Sequence, residues 1–166
     1  MELAETVPSQ LSPAAEPQPG DTPHRICLIT LGEELFAVDL KHVREVFEVE
    51  SVTPVPGMPS TLIGVANLRG TVMPLADLRP VLGLPVSGPQ PKYAVVVRYG
   101  AQQVAVLVDQ VPEIHNIHTS EILEASTHGA KGVRSFVSSI VKVGERMGGF
   151  VEIPTLLACV EAGEGN

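Results

Sequence analysis

The residues able to do chemistry in this chain are few and scattered. Ser138 and Ser139 lie in a strand-like run without the flanking glycines of a nucleophile elbow. No glycine-rich loop leads into a Lys-Ser/Thr pair that could cradle a phosphate. Asp77, Asp109, Glu113 and Glu152 are potential acids. Each falls at a strand end or the start of a helical turn, where a carboxylate meets free backbone N–H groups. His115 and His118 have the only metal-like spacing. In extended backbone, residues three apart point to opposite faces, so this pair does not converge on one ion. Cys27 and Cys159 form no redox or metal spacing, and two distant free thiols suit a reducing compartment such as the cytoplasm. No Ser/His/Asp trio can be nominated for a small hydrolase. The sequence therefore predicts no catalytic residue, no cofactor and no metal site.

Arg69 is different. It is the only charge between Leu62 and Leu75, where two apolar runs meet at Arg69-Gly70 with room for a two-residue connection. Gly70 accepts a positive φ without a Cβ penalty, which suits a tight hairpin turn. Glu45, on a neighbouring predicted strand, has the opposite charge, and the two are expected to pair and brace the turn. An exposed pair contributes only about 0–1 kcal/mol, so its value is geometric.

The elements that must position these residues are short. The chain has 166 residues, is 44% hydrophobic and carries 15 Gly, 15 Pro and no Trp, a balance that favours many short strands over a helical bundle. A net charge of −8 argues against a nucleic-acid binder and against a polybasic membrane surface. The basic residues are scattered and the only tyrosines are Tyr93 and Tyr99, so base stacking on a barrel is poorly supported as well. No apolar run approaches the roughly 20 residues of a membrane span, so no membrane insertion is expected. Residues 1–6 show no basic stretch leading into an apolar one, so no secretory leader is expected either.

Residues 1–23 hold five prolines, the acids Glu2, Glu5, Glu16 and Asp21, and no Lys or Arg. They form an acidic tail with no periodicity and are expected to be disordered; half of the net charge of −8 sits there. A folded unit is expected over 24–160, with a Gly/Pro/Ser connector and hinge near 83–91 and a frayed end at 161–166. Strands are predicted at 25–31, 35–38, 43–47, 52–55, 93–99, 103–108 and 111–117, and a second hairpin turns at Gly144-Glu145. Pro74 points to an edge or a bulge in the second arm of the first hairpin. Asp39 and Asp77 are placed to cap short helical turns. A further short helical turn is expected at 120–125, a loop at 126–132 and a last helix at 155–160.

The pattern repeats. Shifted by 68 positions, Gly32 falls on Gly100, Ala37 on Ala105, Val38 on Val106, Val43 on Val111, Glu45 on Glu113 and Val46 on Ile114. A looser match sets Leu75-Ala76-Asp77-Leu78 against Phe150-Val151-Glu152-Ile153. Each copy has enough short strands to close a small barrel, which removes exposed edges. Two small antiparallel barrels in tandem are expected, with a groove between them suited to binding. The counterpart turn Gly144-Glu145 has no arginine, so the cation is expected to belong to the first barrel alone.

These residues carry a resemblance. The matching residues are Leu31-Gly32-Glu33-Glu34-Leu35-Phe36-Ala37-Val38-Asp39, Lys41-His42-Val43-Arg44-Glu45-Val46, Ile63-Gly64-Val65-Ala66-Asn67-Leu68-Arg69-Gly70 and Pro74-Leu75-Ala76-Asp77-Leu78-Arg79. Val108-Asp109-Gln110-Val111 and Arg146-Met147 also fit, and together they resemble the CheW-like chemotaxis adaptor family. The resemblance implies an all-β fold of two intertwined five-stranded SH3-like barrels with a C-terminal helix. It implies a non-catalytic scaffold joining the cytoplasmic tip of a chemoreceptor to a CheA-type histidine kinase. Val43, Gly64 and Ile114 match groove or receptor-side positions of that family, and Glu45 and Arg69 match its charged pair beside the groove. An adaptor for pilus, gliding or developmental signalling is the close alternative.

Overall fold

The computed structural model describes residues 23–86, 88–124 and 137–162. Residues 1–22 of the tail expected over 1–23, the loop over 126–132 and the last four residues lie outside the described residues. Among the described residues there are eleven strands: β1 (Pro23–Leu31), β2 (Glu34–Asp39), β3 (Val43–Glu48), β4 (Leu62–Leu68), β5 (Thr71–Ala76), β6 (Tyr93–Tyr99), β7 (Gln102–Val108), β8 (Glu113–His118), β9 (Ile122–Glu124), β10 (Val137–Val143) and β11 (Arg146–Val151). A helix, α1 (Ile153–Ala162), ends the fold, with Pro154 in its first turn, where a missing N–H costs no helical bond. Pro23 belongs to β1 rather than to the tail.

The two copies of the repeat exchange strands. One sheet has six strands in the order β8-β1-β2-β11-β10-β9, and the other has five in the order β3-β6-β7-β5-β4. Each sheet thus takes strands from both halves of the chain. The pairing is also not wholly antiparallel: β2 runs parallel to β11, and β5 runs parallel to β7. The Gly turns of the two copies keep their equivalence, with φ +64 at Gly32 and +63 at Gly100.

Burial explains why β1, β2, β6 and β7 read as nearly continuous apolar runs. On β6, Ala94 and Val96 join one cluster while Val95 and Val97 join another. On β1, Ile26 and Leu28 face one interior, and Cys27, Ile29 and Leu31 face the opposite way. Each sheet curls around its own small core, and the two hairpins β1–β2 and β6–β7 enclose a third and larger core with Leu156, Leu157 and Val160 of α1. Fully burying side chains of this size contributes about 1.5–3 kcal/mol each, so this layer holds the two halves together. Along these hairpins the space between the barrels is filled rather than open. Cys27 sits in that layer, where burial pushes its thiol up to about 11. Alkylation of the native chain should spare Cys27 until it unfolds, which mass spectrometry of labelled peptides checks.

Three local expectations change. Residues 52–55 form no strand; Pro54 and Pro56 lack donors, and only an isolated bridge of Thr53 with Val65 survives. Pro74 is neither on an edge nor in a bulge, since β5 lies between β7 and β4. Pairing with β7 starts one residue later, at Leu75, so the missing donor removes nothing from that ladder. The bulge lies across the hairpin instead, between Leu62 and Gly64 of β4. Finally, the helical turn expected at 120–125 is a 3-10 turn at Thr119–Glu121 that runs straight into β9.

Candidate partner-binding site

The hairpin of β4 and β5 turns at Arg69-Gly70, and both residues take positive φ, +52 and +88. Two left-handed residues give the turn that matches the twist of paired strands. Gly70 fits it at no cost, but an L-residue with a side chain does not, by about 1–2 kcal/mol. Arg69 is the only non-glycine with positive φ among the described residues. The Asn67 side chain accepts from the Gly70 N–H at 2.8 Å and fastens the turn. Across the turn, Arg69 Nη2 donates to both carboxylate oxygens of Glu45, at 2.6 and 2.7 Å. The expected pair therefore forms, with the Arg69 side chain 72% exposed.

This pair has a mechanical setting. Strands β3 and β4 are the opposite edges of the five-stranded sheet. Thr53 and Val65 exchange two backbone hydrogen bonds of 2.9 Å, tying the segment after β3 to β4. Glu45 on β3 and Arg69 beyond β4 pin the same seam from the side, and the sheet closes into a barrel.

Gly64 belongs to the seam too. It is buried with φ +151, and a Cβ there would stand 2.5 Å from the Thr53 carbonyl oxygen. Its bareness lets residues 52 and 53 lie against β4, so it acts through that contact rather than by meeting a partner itself. Val43 is half-buried and packs against the large core two residues before Glu45. Ile114 stands apart on β8, an edge of the six-stranded sheet, and is 49% exposed. Four of the five expected site residues thus gather on one barrel, and the fifth is on the other.

The second barrel corrects one expectation. The cation does not belong to the first barrel alone: Arg146, the first residue after the Gly144-Glu145 turn, donates to Glu113 at 3.0 Å. Glu113 is the repeat partner of Glu45, so each barrel carries a Glu–Arg pair at the matching place. The arginine has moved from the turn to the first strand position, which hid the equivalence in the sequence. His115 also bonds Glu113 at 2.8 Å, and the bonds to His115 and Arg146 hold the Glu113 carboxyl below its usual range. Whatever this pairing contributes is present above the ordinary carboxylate range and is lost as pH falls through that lowered value. Exposed apolar side chains flank both pairs in sequence: Val46 and Val72 on the first barrel, Ile114 and Met147 on the second.

The remaining acids have structural partners. Asp77 accepts from Arg79 Nε at 3.0 Å and Nη2 at 2.9 Å, and also from the Arg79 backbone N–H. Asp109 accepts from the Gly32 N–H at 2.6 Å, and Glu152 accepts from the Ser138 hydroxyl at 2.7 Å. Among the described residues, no group of three His, Cys, Asp or Glu is placed to hold a metal ion.

The family model described as the CheW-like domain matches residues 25–161. Chemotaxis protein CheW of Klebsiella aerogenes is 29% identical over 135 residues, covering 81% of each chain. Probable chemotaxis protein CheW of Rhizobium etli is 30% identical over 134 residues, 80% of this chain and 86% of that one. Protein FrzA of Myxococcus xanthus is 33% identical over 95 residues, 56% of this chain and 59% of its own. Among solved structures, the scaffolding protein TtCheW from Thermoanaerobacter tengcongensis superposes with a TM-score of 0.69 at 28% identity, covering 78% of this chain and 89% of that one.

Proposed function

The chain belongs to the CheW-like domain family, and on that premise we propose that it is a non-catalytic adaptor coupling a chemoreceptor's cytoplasmic tip to a CheA-type histidine kinase. The observation that carries the site is Arg69, held in a left-handed turn and clamped to Glu45 while most of its side chain faces solvent. Strain of this kind persists where the surroundings impose it, and it clusters where a partner is met. The pair fixes one shape for the loop at the barrel seam. Val43, Glu45, Gly64 and Arg69 shape the receptor-side surface of the first barrel, and Ile114 offers an apolar contact on the second. The adaptor works in the cytoplasm, at receptor arrays. Among the described residues no helix is long and apolar enough to cross a membrane.

Reconstitution with a CheA-type kinase and a receptor fragment tests this reading, with kinase activation as the readout. The unsubstituted chain should activate. Arg69→Ala should leave folding stability within about 1 kcal/mol, because an exposed pair is weak. It should also lower the apparent affinity for the receptor or kinase roughly tenfold, as truncating an anchoring arginine does. A chain that binds neither partner defeats the assignment; an Arg69→Ala chain that unfolds makes the residue a packing element. A second reading is the same adaptor in a pathway other than flagellar chemotaxis. Pull-down of its kinase and receptor separates the two.

A further inference from the structure

The end of the five-stranded sheet carries a cleft of about 330 Å³ lined by Lys41, His42, Arg44, Arg98, Tyr99 and Gly100. All but His42 are exposed. The chain has only 11 Lys and Arg, and three of them meet here in a protein of net charge −8. None of the three has an acidic side-chain partner among the described residues. Arg98 Nε is turned to the Gly100 carbonyl at 3.0 Å, and the His42 ring lies 3.3 Å from the Arg98 carbonyl and tilted against Tyr99. Asp39, two residues before Lys41, is spent on capping the turn Leu40–His42 through the Lys41 N–H, and Glu45, next to Arg44, is clamped to Arg69.

The repeat sharpens the point. At the Gly32 turn the fold supplies its own carboxylate, Asp109. The residue that matches Asp109 at the 68-residue offset is Lys41, and it lies in the cleft beside Gly100, the repeat partner of Gly32. Where one copy has a built-in acid, the other has a cation. We propose that this cleft receives the chain's own acidic segment, residues 1–22.

Chain direction favours this occupant. Ile26 pairs with Asp39, and β1 contacts the turn that carries Lys41 and His42, so the chain reaches Pro23 only three residues from that pairing. Asp21 lies two residues before Pro23 and Glu16 seven, a reach of at most roughly 25 Å. The segment holds four acids and no Lys or Arg. Tethering gives it a high effective concentration over a free peptide. Docked there, it would screen the basic cleft from other anions.

The test uses the full chain. Glu2→Gln, Glu5→Gln, Glu16→Gln and Asp21→Asn are introduced together, and backbone amide shifts are compared with those of the unsubstituted chain. Changes are expected at Lys41, His42, Arg44, Arg98 and Gly100 and at few other folded positions. Raising salt to about 0.5 M should produce the same changes in the unsubstituted chain, because screening shortens the reach of surface charges. Zero-length carboxyl-to-amine cross-linking should join the tail acids to Lys41 in preference to Lys92 or Lys142, and Arg44→Glu should cut that yield several-fold. Unmoved cleft amides, or cross-links spread evenly over the lysines, overturn the proposal. So does a synthetic polyglutamate peptide that binds the cleft equally well with and without the tail acids, since an occupied cleft must resist it.

Discussion

Replacing Arg79 with alanine should cost about 3–5 kcal/mol of folding stability, read as a shift of the urea midpoint at unchanged slope. The Arg79 side chain is 7% exposed and that of Asp77 is 11% exposed, and the two share paired hydrogen bonds. The bond to Asp77, more than any other interaction, pushes the guanidinium above its usual value. Asp109 Oδ1 lies 3.9 Å from Arg79 Nη1, and its second oxygen holds the Gly32 turn. Removing the arginine leaves Asp77 facing a low-dielectric interior and loosens a clasp joining residues after β5 and β7 to the β1–β2 turn. Asp77→Ala with Arg79→Ala together should cost less than the two separately, since the second change removes the stranded charge. A loss no larger than that of Arg69→Ala would show that water reaches this network.

Gly64→Ala should cost about 2–4 kcal/mol, the sum of a left-handed backbone and a collision with fixed atoms. The added methyl would meet the Thr53 carbonyl oxygen at 2.5 Å and Val52 Cγ1 at 2.8 Å, and a backbone oxygen bound into the seam cannot step aside. Gly70→Ala is the control. Its φ is +88, yet a methyl there meets nothing within 4 Å, so only the backbone cost of about 1–2 kcal/mol remains. Thermal unfolding of the two variants side by side gives the comparison. Equal losses would mean that the seam yields easily and that Gly64 is needed for its φ alone.

Much of the fold was legible because its signals are local. Alternating burial, the Arg69-Gly70 turn and the Asp39 cap are each written within a few residues. The partnership of Glu45 and Arg69 was legible from opposite charges standing alone in apolar surroundings. Strand exchange between the copies was not, because an offset of 68 says which segments are alike and nothing about which sheet each joins. The parallel contacts of β2 with β11 and β5 with β7 depend on that exchange. Arg146 escaped notice as the counterpart of Arg69 because the cation shifted across the turn while its acid stayed in register. Gly64 was named only through the family resemblance, and the approach of residues 52 and 53 gives its physical reason.

The exchange of strands also sets a timetable for synthesis. As the chain leaves the ribosome, β1 and β2 can pair with each other at once. Their outer neighbours, β8 and β11, are made some 75 to 115 residues later. Until then both edges of that first hairpin are open, and its two apolar faces have nothing to cover them. Pairings so distant along the chain close slowly. The nascent first half therefore carries open strand edges until the end of the chain is made, and a stop before β11 leaves β2 without its outer neighbour rather than giving a shorter complete fold.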